Sequence, residues 1–411
     1  MVSNAIPVHT LEARLKRAIR RHLDSLGFLR AADGQLTLSN TSKETYRQLH
    51  QAQRSDVLRT QREFIGEAWD EVSMYFANGC EVNPEKITPW LELVEPSTWQ
   101  SRLFRLACLT WSVPVSGGYG RRLRFLVWDL WNGRLIGIIG LTDPVFNLTA
   151  RDKYIEWNAK DRQTRLINML DAFVLGALPP YNRLLGGKLV ASLVKTTEVI
   201  EAFRKKYAHA PGTISGKPRA AHLVAVTTTS ALGKSSLYNR LKLNGEAIYQ
   251  RIGFTRGWGH FHVPDELFSE VREYLRSIGD KYADNHRFGD GPNWKLRALR
   301  QAFERLGIRP DLLRHGIARE VFFCSLSSNA LNVLRGESAE PDYAAARCVS
   351  EMGELARRRW IEPRAKAIHG IRDWVRTSLR EALGLSAALS LSWGEDQHSG
   401  RLSYGVSKLR S

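Results

Sequence analysis

Cysteine is scarce. Cys80, Cys108, Cys324 and Cys348 are the only four in the chain; they lie far apart and form no CxxC pair. That spacing excludes a disulfide framework and a cysteine-based zinc cluster, and it fits buried thiols in a reducing compartment. No stretch is long and apolar enough to span a bilayer, and the first residues, MVSNAIPVHTLEARLKRAIR, contain no signal-peptide core. No lipidation signal, internal repeat or low-complexity tract is present. His260 and His315 are isolated, and Asp143, Asp152 and Asp171 do not have metal-ligand spacing, so no metal site is expected. These absences point to a cytoplasmic protein without a membrane partner.

Acid is in short supply as well. Sixty Lys and Arg stand against 42 Asp and Glu, a formal charge of +18. Such an excess attracts polyanions and releases counterions on binding, and nucleic acid is the expected partner, DNA ahead of RNA. The excess is concentrated. From Glu201 to His260 there are ten Lys/Arg and two acidic residues. Arg121, Arg122 and Arg124, with Lys217, Arg219, Lys234, Arg240, Arg251 and Arg256, are the expected phosphate contacts, and Trp111, Tyr119 and Trp258 could stack on bases.

What is present is globular. Hydrophobic residues make up 43% of 411, including twelve tryptophans, enough for two or three packed units. Residues 1–105 read as an N-terminal helical domain. Leu11, Leu15, Ile19, Leu23 and Leu26 share one helical face, a second helical stretch runs from Lys43 to Ala77, and Ile87 to Leu106 resembles a connector. Residues 106–265 change character. Leu123–Asp129 and Arg134–Leu141 are strands around an Asn132-Gly133 hairpin turn. Leu170–Leu178 is a buried strand that Pro179-Pro180 stops, a glycine loop opens a helix over Leu189–Tyr207, and His222–Thr228 is the next strand. A last strand pair is expected within YQRIGFTRGWGHFHVP, ending near Val263. The crossover rule makes the strands flanking the helix parallel neighbours if they are adjacent. Residues 266–385 read as mostly helical, and 386–411 as a polar tail. The fold class is therefore α+β: a central acyl-CoA N-acyltransferase-like mixed sheet, over about Trp111–Val263, flanked by N-terminal and C-terminal helical regions.

Two motifs in the central segment carry chemistry. At the strand-to-helix junction, Arg183, Gly186, Gly187 and Lys188 offer backbone N–H groups and a helix start, the physical requirement for holding a pyrophosphate. The spacing resembles the coenzyme A loop of N-acyltransferases, except that Lys188 stands where Gly or Ala is usual, and a plain tight turn is the alternative. Leu175 and Ala177 on the preceding strand would face the same acyl-CoA. Tyr249, Gly253 and Phe254 match the Tyr–x–x–x–Gly–Phe with which N-acyltransferases end a helix, which would make Tyr249 the acid for a leaving thiolate. Asp171 or Asp152 could serve as general base. Asp152 could equally pair with Arg151, and Asp143 before Pro144 reads as a turn former. Gly233-Lys234-Ser235 is not a P-loop, because Thr228 stands where its first glycine belongs.

The segments WSVPVSGGYGRRLRFLVWD, IGLTDPVFNLTARDKYIEW, LDAFVLGALPPYNRLLGGKLVASLV and GPNWKLRALRQAF resemble the DruA family of the Druantia anti-phage systems, over about Leu11 to Ser378. The resemblance implies a role in bacterial defence, with other subunits of the system as partners, and it brings no settled activity. The strand order itself is similar in kind to phage Mom-type DNA-modifying proteins. Three functions stay open: a defence protein that binds nucleic acid through the acyltransferase-like core, an acyl-CoA-dependent enzyme that modifies a nucleobase or amine, and a transposon-associated DNA-binding accessory protein.

Overall fold

The computed structural model describes residues 8–26, 28–30, 36–38, 42–209, 220–256, 262–284, 294–309 and 317–385. Lys217, Arg219, Trp258, His260, His315 and the tail from 386 lie outside the described residues.

Apolar, β-branched and aromatic runs bounded by turn residues give seven strands: β1 (Pro89–Leu93), β2 (Arg122–Asp129), β3 (Arg134–Thr142), β4 (Met169–Ala177), β5 (Ala225–Thr229), β6 (Gln250–Phe254) and β7 (Glu320–Ser325). They form one mixed sheet in the order β6-β7-β5-β4-β3-β2-β1. β2 and β3 are the expected hairpin, with Asn132 Oδ1 accepting the Arg134 N–H at 2.9 Å in its turn. β4 and β5, the strands flanking the helical crossover, are adjacent and parallel. Every other pairing is antiparallel. Helices cover both faces. On one, Val190, Phe203 and Met352 pack over Leu170 and Phe322; on the other, Ile65, Trp69 and Leu103 pack over Leu126 and Val174. A separate helical core joins the N-terminal helix to two helices that follow β6, where Leu15, Ile19 and Leu23 of Val8–Ser25 meet Phe268 and Val271 of Asp265–Ser277 and Phe303 of Trp294–Arg305.

The sheet reaches beyond the central segment expected to hold it. The supposed connector supplies β1, and the C-terminal region read as mostly helical supplies β7, which sits between β5 and β6. β6 pairs with β7; the second strand expected before Val263 falls on residues 257–261, which lie outside the described residues. The motif around Tyr249 is not at a helix end: Tyr249 immediately precedes β6, and Gly253 lies within it at a bulge, with φ +146°, a backbone conformation that disfavours a side chain. The crossover helix is also divided. Gly186–Ser192 and Thr197–Tyr207 are helical, and between them Thr196 turns extended, its buried Oγ1 donating to the Leu193 carbonyl at 2.8 Å. No described helix is long and apolar enough to cross a membrane.

Candidate functional site

β4 and β5 are in register only from Met169↔Ala225 to Ala172↔Thr228. Beyond that point β4 stays on β3 as far as Ala177, while β5 ends at Thr229 and runs into the 230–237 loop. Where the strands part, a cleft of about 470 Å³ opens, lined by Trp111, Phe173, Leu175, Ser235 and Tyr238 among others. A second cleft of about 590 Å³ is lined by Asn147, Asp152, Arg162, Thr255 and Arg256 among others. Asp171, Thr229 and Arg319 line both, so the two spaces meet at these residues.

Asp171 sits on β4 opposite Thr227 of β5, whose Oγ1 donates to its Oδ1 at 2.7 Å. Burial pushes the Asp171 carboxyl up to about 6, against the opposing pull of the Thr227 hydroxyl and the positive charge of Arg151. A carboxyl that titrates near neutrality in a cleft can take up and release a proton under working conditions. Tyr238, in the same cleft, has its hydroxyl pushed up to about 12 by burial, so it remains a proton donor. Its ring is held between Tyr249 and Phe322, at centroid distances of 4.9 and 5.1 Å.

Arg319 lies just before β7. Burial disfavours its charge, and its Nε is buried with no hydrogen-bond partner among the described residues. Its Nη2 is 3.4 Å from His50 Nε2, and His50 Nδ1 is 3.2 Å from Gln53 Oε1. Because a glutamine oxygen only accepts, Nδ1 carries the proton and Nε2 receives the arginine N–H. Burial lowers the His50 pKa, and the charges of Arg319 and His262 lower it further. The next residue, Glu320, is 2% exposed. Its Oε2 accepts from Ser235 N–H and Asn239 Nδ2, both at 2.8 Å, and its own N–H donates to Gly233 O at 2.9 Å. The loop lining the first cleft is thus held from beneath by one carboxylate.

The sequence-derived residues separate clearly on this frame. Asp171 and Asp152 share a cleft. Asp152 is engaged, however: it accepts Arg151 Nε and Nη2 at 2.9 and 2.7 Å and Arg162 Nη1 at 2.9 Å, which makes it an ion-pair anchor. Tyr249 is not brought to the cleft. Its hydroxyl is buried and donates to the Ala191 carbonyl at 2.9 Å, so Tyr238 holds the position that Tyr249 was expected to fill. Leu175 lines the first cleft. Gly186 is not an open cradle: a Cβ there would lie 2.6 Å from Tyr181 O and 3.1 Å from Ala177 Cβ, so glycine is required for packing. Gly187 abuts Leu237, itself in the cleft wall. Lys188 Nζ lies 5.5 Å from the Trp360 ring centre, and burial, Arg359 and Arg240 all lower its pKa. Arg183 rests on Trp374 at 5.1 Å.

Among the basic residues, Lys234 and Arg256 line the clefts. Arg251 reaches Glu320 at 3.4 Å, and Arg240 is exposed beside Lys188. Arg121, Arg122 and Arg124 stand two strands away on or beside β2. Arg121 is unavailable there, because its side chain is spent on Asp143 at 2.7 Å and on the Ile167 and Met169 carbonyls. Arg122 is exposed and Arg124 lies near Phe104. Sequence reasoning missed Arg319, Glu320, His50 and Tyr238, all of which come from segments read as helix or loop.

A family model described as Druantia protein DruA matches residues 40–336, a span that includes all seven strands and both clefts. The chain belongs to the DruA family. A curated relative, Druantia protein DruA of Escherichia coli (strain UMEA 4076-1), is 49% identical over 360 residues, covering 88% of this chain and 89% of the relative. No solved structure matches the chain.

Proposed function

We propose that this DruA-family chain serves bacterial defence against phage by binding nucleic acid, DNA in preference to RNA, through the basic clefts of an acyltransferase-like core, with other subunits of the defence system as partners. The observation that carries this is the charge at the clefts. Lys43, Lys234, Arg162, Arg256 and Arg319 line them, against Asp152 and Asp171. Asp152 is already matched by Arg151 and Arg162. The surplus is positive, and the opening between β4 and β5 admits an extended ligand as far as Asp171. Filter binding with duplex and single-stranded probes tests it. Retention at about 50 mM salt that falls by roughly tenfold to a thousandfold over a few-fold rise in salt is expected. Failure to retain any probe at about 50 mM contradicts it.

A second reading, acyl transfer to a nucleobase or amine from coenzyme A, is favoured by one feature. A parallel pair parts beside the Arg183–Lys188 loop, where Lys188, Arg240 and Arg359 gather without a carboxylate partner among the described residues. Those three cations fit a pyrophosphate, although the filled space beside Gly186 leaves the loop less open than the donor motif requires. A bound thioester would supply an activated acyl group. Asp171 is placed to accept a proton from an acceptor, and Tyr238 to give one. Mass spectrometry of the supernatant after denaturing the purified protein tests this reading directly: an acyl-CoA mass supports it.

A further inference from the structure

We propose that Arg319 is the receptor for a phosphate group that enters where the two clefts meet, and that this phosphate belongs to a nucleic-acid strand; the second part rests on the function proposed above. The guanidinium is a half-buried cation with its Nε enclosed, and it has no matching anion among the described residues. Its near neighbours are a neutral imidazole, His50, and Tyr46. Its Nε–H has no acceptor among the described residues. An unsatisfied buried donor is costly, more so when charged, so packing alone gives no reason for an arginine here. The site is also reachable, since Arg319 lines open space on both sides.

The surroundings suit phosphate better than a carboxylate. Lys43 Nζ donates to Ser236 Oγ at 3.0 Å on the cleft wall, and Lys234, Thr229 and Ser235 line the same space. Two ammonium groups, a guanidinium and several hydroxyls exceed what one carboxylate can use but match the charge and oxygens of a phosphate. Glu320 holds the 233–239 loop in place beforehand, so its groups need little reordering on binding. The position argues for a strand over a coenzyme. Arg319 shares its cleft lining with Asp171, at the inner end where chemistry would occur, whereas Lys188, Arg240 and Arg359 at the glycine loop are the place for a coenzyme pyrophosphate. Phosphate in both sources is the same chemistry, and the probes below separate them.

The test compares the full chain with Arg319→Met and Arg319→Lys. Thermal unfolding is recorded in sodium phosphate and in sodium chloride at equal ionic strength, and binding of a short single-stranded oligodeoxynucleotide and of coenzyme A is titrated. Phosphate is expected to raise the Tm of the unaltered chain by several degrees more than that of Arg319→Met; any general stabilisation by an excluded salt is common to both. Oligonucleotide affinity is expected to fall at least about tenfold in Arg319→Met, with partial recovery in Arg319→Lys. An equal phosphate shift in Arg319→Met and the unaltered chain, or no shift in either, overturns the proposal. Should Arg319→Met fail to fold, Arg319→Lys decides, and oligonucleotide affinity and a phosphate shift both unchanged in it overturn the proposal. If phosphate acts through Arg319, no oligonucleotide binds and coenzyme A competes with phosphate, the receptor stands, but the strand as its source and the nucleic-acid function both fall.

Discussion

Thr227 Oγ1 and Asp171 Oδ1 are 2.7 Å apart, and this bond ties β5 to β4 one residue before the two strands cease to pair. The carboxylate is thereby fixed at the inner end of the opening. Its environment opposes its charge, and that opposition has a measurable cost.

Asp171→Asn is expected to stabilise the fold at neutral pH. The folded-state pKa is raised from 3.8 to about 6, so the folded chain binds more protons than the unfolded one between those values. Asp171 therefore costs nothing below about pH 4, and stability falls as pH rises through about 6. At neutral pH the variant should gain roughly 1–3 kcal/mol, and show no gain near pH 3.5, in urea unfolding. A less stable variant at pH 7 would show that the carboxylate is structural.

His50 works in the opposite direction. Its folded pKa is lowered from 6.5, so its contribution is fully present above about 6.5 and is lost as pH falls. Protonation would also set a second cation against Arg319. His50→Gln is expected to flatten the loss of stability between about pH 7 and 5, leaving the part due to His22, which burial also lowers. Denaturant midpoints across that range measure it; an unchanged slope counts against the neutral imidazole.

Much of this frame was legible in the sequence. The hairpin, the buried β4 and the parallel β5 follow from apolar runs with strong punctuation: Asn132-Gly133, Pro179-Pro180 and the glycine loop. Asp171 stood out because acids are rare in the basic core. β1 and β7 were not legible, since each pairs with residues distant in the chain, and REVFFCS is a short apolar run among helical periodicities. Arg319, Glu320 and His50 were hidden for the same reason. Their meaning arises only when β7 pairs with β5 and the helix Lys43–Thr60 brings His50 to Arg319. Tyr249 shows the reverse failure: a matching spacing placed a hydroxyl in the core, bonded to Ala191.

Gly186→Ala is expected to destabilise the chain by roughly 1–3 kcal/mol, because the added methyl would meet the Tyr181 carbonyl at 2.6 Å. Lys188→Ala, which removes a cation repelled by Arg240 and Arg359, should leave the fold intact. Thermal melts of the pair distinguish packing from binding at this loop. A Gly186→Ala chain as stable as its parent would show that the loop can open.

Glu320→Gln is expected to loosen the 233–239 loop, since an amide replaces the carboxylate that accepts both Ser235 N–H and Asn239 Nδ2. A loss of roughly 2–3 kcal/mol is the order anticipated for a buried charged acceptor. Hydrogen exchange at Ser235 should accelerate; unchanged protection would mean that the loop is held by other contacts.

The most direct test is a salt titration of oligonucleotide binding by the full chain beside a Lys234→Glu, Arg256→Glu double variant, followed by fluorescence anisotropy from about 50 to 200 mM salt. Binding through the clefts requires affinity that falls steeply with salt in the unaltered chain, and both weaker affinity and a shallower salt slope in the variant. Equal affinity and equal slope in the two proteins, or no binding by the unaltered chain at the lowest salt, would contradict it.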